Sequence, residues 1–185
     1  MNIFRKIKYF IQRGKRGYSN YDLVSLDNYL QNLIVNSVLD LERNLHGSKE
    51  LPYEEVDTFN SGWLLKEYSD ILETMKKDKW FEDCDDFSEY TLDDQYIRCR
   101  LIYRRIAYYL NESNDEKCTN QDNPYWDLYY HITYETDEHL NWKEKDIKEL
   151  YNNFLKRDEE IKEYMEEMKN EGFKLLSKYF FTLWD

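Results

Sequence analysis

The stretch SNYDLVSLDNYLQNLIVNSVLDLERNLHG, residues 19–47, decides the fold class. Leu23, Leu26, Leu30, Leu33, Ile34, Val38, Leu41 and Leu45 recur at spacings of three and four for about six helical turns, so one helix face is apolar throughout. Ser19, with Asp22 three residues on, forms a capping-box pattern at the head of this segment, and Gly47 supplies a stop. Asp27 stands beside the Leu23–Leu26–Leu30 stripe, so a half-buried carboxylate with an Arg or Tyr partner is expected there.

The same spacing recurs along the chain. A second helix is expected over 59–78, burying Phe59, Trp63, Leu64, Ile71, Leu72 and Met75. Thr91 and Asp94 read as a capping box for a third, running to about 111 with Tyr96, Cys99, Tyr103, Ile106 and Leu110 as its stripe. A Tyr-rich helix follows from Tyr125 to His139. Ile147, Leu150, Phe154, Ile161, Met165, Met168, Leu175, Tyr179 and Leu183 then share one face of a long C-terminal segment without proline. A continuous 147–183 helix spans about 55 Å, against about 40 Å for a compact sphere of this chain length. The segment is therefore expected to kink near Gly172 or to project, and a projecting apolar stripe calls for a second chain. With 5 Gly and 2 Pro there are few turn residues for a sheet. The expectation is an all-α helical bundle with a long C-terminal helix, oligomeric. It is one helical domain over 1–185, with a basic segment at 1–17 and the long helix at 143–185.

Charge is unevenly spread. Residues 1–17 hold Arg5, Lys6, Lys8, Arg13, Lys15 and Arg16 and no acid, whereas the rest carries 20 basic and 38 acidic side chains, a net of −18. Such a body repels nucleic acid and anionic membrane, so neither a nucleic acid polymer nor a membrane is expected as partner. Ile3, Phe4, Ile7, Phe10 and Ile11 lie on one stripe of the basic segment. A helix docked on its own core or on a neighbour's is expected over a membrane-surface helix, because eleven residues offer little apolar area and the body is acidic. Lys6 and Lys8 interrupt any signal-peptide core. The odd set Cys84, Cys99 and Cys118 has no metal-ligand spacing, which suits free thiols in a reducing cytosol.

Chemistry-bearing groups are few. His131, Glu135 and His139 recur every fourth residue on one helix face, but no Glu-x-x-His supplies the matching ligands of a bundle metal site. Glu159, Glu160 and Glu163 are similar to the first half of the acidic motif of all-helical nucleotide pyrophosphatases, without the second acidic pair that Mg²⁺ needs. No nucleophile–base set and no phosphate loop are present, so no catalytic residue, metal ligand or cofactor is assigned. Arg98 and Arg105 share one face of the third helix, and Arg100 and Arg104 another, flanking its apolar stripe. They are read either as partners of core carboxylates such as Asp22 and Asp27 or as a phosphate clamp, since guanidinium forks suit phosphate oxygens.

Arg16-Gly17-Tyr18-Ser19-x-x-Asp22-x-x-x-Leu26-Asp27-x-Tyr29-Leu30, with His46-Gly47 later and Leu183-Trp184-Asp185 at the end, resembles a motif of small bacteriophage proteins. Val24 departs from it, standing where those proteins usually carry Trp. The match covers both ends and leaves 50–170 loosely anchored. Those proteins are in turn similar to phage anti-CBASS sponges, which bind cyclic dinucleotide signals without cleaving them. The resemblance implies a cytoplasmic protein of the infected bacterial host, a dimer or tetramer that sequesters a ligand such as 3′3′-cGAMP. It does not identify the ligand-binding residues. Chemistry selects Arg13, Lys15, Arg16, Arg100 and Arg104 for phosphates and Tyr18 and Tyr21 for stacking on bases. Two other classes stay open: an acidic protein that blocks a host enzyme or mimics DNA, and a metal-dependent helical nucleotide hydrolase.

Overall fold

The computed structural model describes residues 3–44, 54–81, 87–134 and 144–179. Gly47, Cys84, Glu135, His139 and Leu183–Trp184–Asp185 lie outside them. Seven α-helices and no strand are present among the described residues: α1 Ile3–Arg16, α2 Leu26–Arg43, α3 Glu54–Asp57, α4 Ser61–Lys77, α5 Gln95–Glu112, α6 Trp126–Tyr134 and α7 Glu144–Tyr179. The all-α expectation holds. The segment beginning at Ser19 is not α-helical from its cap, because a 3₁₀ turn, Asp22–Ser25, precedes α2. Helix α4 starts two residues later than its apolar pattern, where the Asn60 side chain accepts from the amides of Gly62 and Trp63 at 3.0 and 3.3 Å. At the head of α5 the cap is Asp94 rather than Thr91: its Oδ1 accepts from the Tyr96 amide at 2.8 Å.

The chain divides into two compact units, Met1–Ala107 with Tyr179–Asp185, and Tyr108–Lys178. In the first, Val35 and Val38 of α2, Ile71 and Met75 of α4, and Ile97, Leu101, Ile102, Tyr103 and Ile106 of α5 are buried. Phe81, Phe87, Tyr90 and Tyr96 form an aromatic cluster, with Phe81 edge-on to Tyr96 at 5.6 Å. Its oxygen shielded from water, the Tyr96 hydroxyl is pushed up to about 12, burial being the main cause.

Charged groups tie these helices together. Arg100 is fully buried, its Nε 3.0 Å from the Glu42 carboxylate and donating at 3.0 Å to the Glu42 carbonyl, while its Nη2 donates to the Arg43 carbonyl at 3.3 Å. It thereby satisfies carbonyls in the last turn of α2, where the helix leaves acceptors open and the dipole favours a cation. Arg104 bridges Glu42 and Glu67 at 3.1 and 2.9 Å, joining α2, α4 and α5. Arg98 reaches Asp93 and Asp57, and the Arg105 guanidinium lies over the rings of Trp63 and Phe59 at 4.7 and 5.2 Å. The expected core ion pairs therefore exist for Arg100 and Arg104, but with Glu42 and Glu67, whereas the partners of Arg98, Asp57 and Asp93, are exposed. Asp27 is exposed, contrary to expectation. The Leu26–Leu30–Leu33 stripe beside it faces outward, and the buried arc of α2 is that of Val35, Val38 and Glu42.

In the second unit, Leu110, Leu150, Phe154, Ile161 and Leu175 are buried, and Tyr129 of α6 stacks on Phe154 of α7 at 4.2 Å. The buried Glu112 carboxylate accepts from the Thr119 amide and hydroxyl at 3.0 and 2.7 Å and from the Tyr164 hydroxyl at 2.9 Å. Arg157 of α7 donates to the carbonyls of Asn120 and Asp122, fastening the loop after α5.

Helix α7 runs unbroken for 36 residues. Gly172 is no kink but a crossing point: a Cβ built there meets Leu110 Cδ2 at 2.8 Å and Tyr109 Cβ at 3.2 Å. The chain itself covers Leu150, Phe154, Ile161, Leu175 and Tyr179, so this stripe of α7 does not call for a second chain. No described helix is long and apolar enough to cross a membrane.

Two substitutions test these contacts. Gly172→Ala should destabilise by about 1–3 kcal/mol, the cost of overpacking a close contact; an unchanged denaturation midpoint would contradict the crossing. Glu42→Ala leaves Arg100 buried without its carboxylate and should cost about 3–5 kcal/mol, read by urea titration.

Candidate functional site

Five residues separate the end of α1 from the 3₁₀ turn, and they are organised around one buried carboxylate, Asp22. Asp22 accepts from the Ser19 amide at 2.6 Å and the Ser19 hydroxyl at 2.8 Å, while its own amide approaches Ser19 Oγ at 3.4 Å. This is the reciprocal capping box read from the sequence. Arg13 adds a bidentate fork, Nε to Oδ2 at 2.9 Å and Nη2 to Oδ1. The Arg13 hydrogen bonds hold the Asp22 carboxyl well below the usual carboxylate range, with the Ser19 donors helping and burial opposing. The same contact raises the Arg13 guanidinium. Gly17 takes φ +81°, a left-handed turn that glycine adopts without strain. Its amide closes onto the Arg13 carbonyl at 2.8 Å, and its carbonyl accepts from the Tyr29 hydroxyl at 2.5 Å. The motif residues Arg16 to Tyr29 are thus spatial neighbours, built as one corner.

Arg16 donates from Nε to the Tyr18 carbonyl at 3.0 Å and from Nη2 to Asn20 Oδ1, and its guanidinium carbon stands 4.8 Å from the Tyr18 ring centroid. Tyr21 is exposed, its ring 5.7 Å from that of Tyr9. Lys15 and Arg16 border a shallow groove of about 470 Å³ whose floor is Phe4, Ile7 and Ile11. The structure therefore brings Arg16 and Tyr18 together beside the Arg13–Asp22 pair, while Lys15 shares the groove with Arg16 and Tyr21 packs on Tyr9. Arg100 and Arg104 are elsewhere, holding Glu42 and Glu67.

Sequence reasoning missed Gln12, whose side chain accepts from the Asn20 amide at 3.0 Å, and Tyr9 and Tyr29. Tyr29 carried a signal, its fixed place in the motif. Glu42 carried one too, seven residues after the buried Val35 and so on the same helix face. Gln12 carried none, since an exposed-looking glutamine predicts no partner. His131 is exposed, and no group of three metal-ligating side chains occurs among the described residues. Compared with protein-family profiles, curated proteins and solved structures, the chain matches none.

The lowered Asp22 carboxyl has a pH signature. Its stabilisation is fully present above the unfolded-state value near about 4 and is lost as pH falls through the lower native value. Asp22→Asn should cost about 1–2 kcal/mol at neutral pH, reduced by the exposure of Arg13. The gap between wild type and variant should narrow in thermal melts taken below pH about 4; a constant gap would refute the pairing.

Proposed function

We propose that the chain binds and sequesters a cyclic dinucleotide, such as 3′3′-cGAMP, at the α1 corner and returns it uncleaved. One observation carries this reading: the Arg16 guanidinium lies on the Tyr18 ring at the lip of a groove that Lys15 also borders, at the end of a seventeen-residue segment with six cations and no acid. A guanidinium has five N–H donors, and the turn uses two of them. The fork is thus oriented before a ligand arrives and still presents donors to phosphate oxygens. Tyr18 and Tyr21 supply flat faces for bases. A small dianion responds chiefly to nearby charge, because at ordinary salt the Debye length is about 8–10 Å. The choice of a cyclic dinucleotide among phosphate-bearing ligands rests on the resemblance of the Arg16–Leu30 segment to the phage proteins.

A homo-oligomer, dimer or tetramer, belongs to this proposal. Its support is the exposed Leu26, Leu30 and Leu33 stripe of α2, an apolar seam with the spacing of a helix–helix contact. An acidic interaction protein is the second reading, favoured by the exposed run Glu159, Glu160, Glu163, Glu166 and Glu167 on α7.

Calorimetry with 3′3′-cGAMP and related cyclic dinucleotides, followed by heating and recovery of the ligand, is the test. Binding with intact recovery is expected, and Arg16→Ala should weaken it by about 1.5–3 kcal/mol, the scale of a charge-assisted hydrogen bond. No heat with any cyclic dinucleotide would leave the acidic-partner reading, and cleaved ligand would leave the hydrolase.

A further inference from the structure

Helix α2 is apolar on two sides. At about 100° per residue, Leu26, Leu30, Leu33 and Ser37 fall within an arc of roughly 60°, and Ile34 and Leu41 widen it on one flank. This arc lies roughly opposite the buried one of Val35, Val38 and Glu42. Leu26, Leu30 and Leu33 are 36, 46 and 49% exposed, and the turn before the helix adds Leu23 and Val24 at 50 and 84%. Five large apolar side chains thus stand in water along about 15 Å of chain.

Charge narrows what can cover them. From Leu23 to Leu39 the only charged residue is Asp27, about 90° round from the centre of the arc. An anionic lipid surface or a nucleic acid would be met by cations, and the arc carries none. A second copy of the chain needs neither sign, because a neutral arc can face itself without setting like charges together. The spacing of Leu26, Leu30, Leu33 and Ser37 is also that by which paired helices interlock their side chains. We infer that a second copy of the chain covers this arc, its α2 running antiparallel to the first with Leu30 beside the two-fold axis. This interface deepens the homo-oligomer reading above, on which it rests, and is independent of nucleotide binding.

Asp40 fixes the polarity. It continues the spacing after Ser37 and is exposed, so parallel helices would set it against its own copy. Arg43, 3.5 Å from Asp40, stands about 110° round from the arc. Antiparallel helices place Asp40 instead toward the α1 end of the other copy, where Lys15 and Arg16 stand. The Tyr29–Gly17 hydrogen bond ties that end to the head of α2. The antiparallel order also sets the positive end of one helix dipole beside the negative end of the other. Around Leu30, Leu26 of each copy then meets Leu33 of the other, and Leu23 meets Ser37.

Sedimentation and disulfide trapping of the full chain test this pairing. Wild type should sediment as a dimer or tetramer, and Leu30→Glu at half that mass with an unchanged far-ultraviolet circular dichroism spectrum, since Leu30 is exposed. Trapping uses a Cys84→Ser background, Cys99 and Cys118 being buried. Leu30→Cys should form an intermolecular disulfide under mild oxidation. Leu26→Cys and Leu33→Cys alone should not, because each residue and its copy stand about 12 and 9 Å apart along the antiparallel axis. Bridged Cα atoms lie within about 7 Å. A mixture of those two variants should cross-link. Oligomers in which all three single variants cross-link overturn the antiparallel order. Oligomers that Leu30→Glu leaves intact overturn the interface, and the homo-oligomer reading survives both of these results. A wild type that sediments as one chain overturns the interface and the oligomer together, and leaves the arc to a different protein.

Discussion

The first unit depends on one buried carboxylate. Glu42 faces two guanidinium groups, Arg100 and Arg104, and Arg104 passes the contact on to Glu67. Helices α2, α4 and α5 are thereby held in one register. Burying charge is expensive, and well-packed apolar groups would often serve stability as well. What the ionic arrangement adds is direction. Arg100 donates at the last turn of α2, to the carbonyls of Glu42 and Arg43. Apolar contacts alone would tolerate a sliding of α5 along α2; the guanidinium ties α5 to the end of that helix.

A second carboxylate, Asp22, does for the corner what Glu42 does for the core. Its two oxygens collect donors from Ser19 and Arg13 and so connect the end of α1 to the turn before α2. Because Arg13 leaves the polar arc of α1, the ion pair also sets which face of that helix looks outward. The same short segment carries the Arg16–Tyr18 contact and the exposed apolar side chains of α1.

Much of this was legible in the residues. The three-four spacing marks α1, α2, α4, α5 and α7, and helix ends moved by a few residues where a side chain such as Asn60 or Asp94 outcompeted the apolar pattern for the cap. The Ser19–Asp22 box is local, its partners three residues apart, and such contacts are readable because the chain has little freedom to place them elsewhere. The contact of Arg16 with Tyr18 follows for the same reason. That Arg13 would be the partner of Asp22 was not readable, since the segment before it offers six cations.

The sequence by itself determined the helical class, the local caps and the concentration of cations in the first seventeen residues, because each follows from neighbours within about one or two turns. Tertiary structure alone decided which faces are covered. Helix α2 has apolar residues around more than half its circumference, and periodicity cannot say whether the Leu26–Leu30–Leu33 arc or the Val35–Val38–Glu42 arc turns inward. The answer came from Arg100 and Arg104, more than fifty residues away in the chain. Gly172 was equally undetermined. A helical glycine permits either a bend or a close approach, and only the position of Leu110 and Tyr109 against it shows that close packing is what it serves.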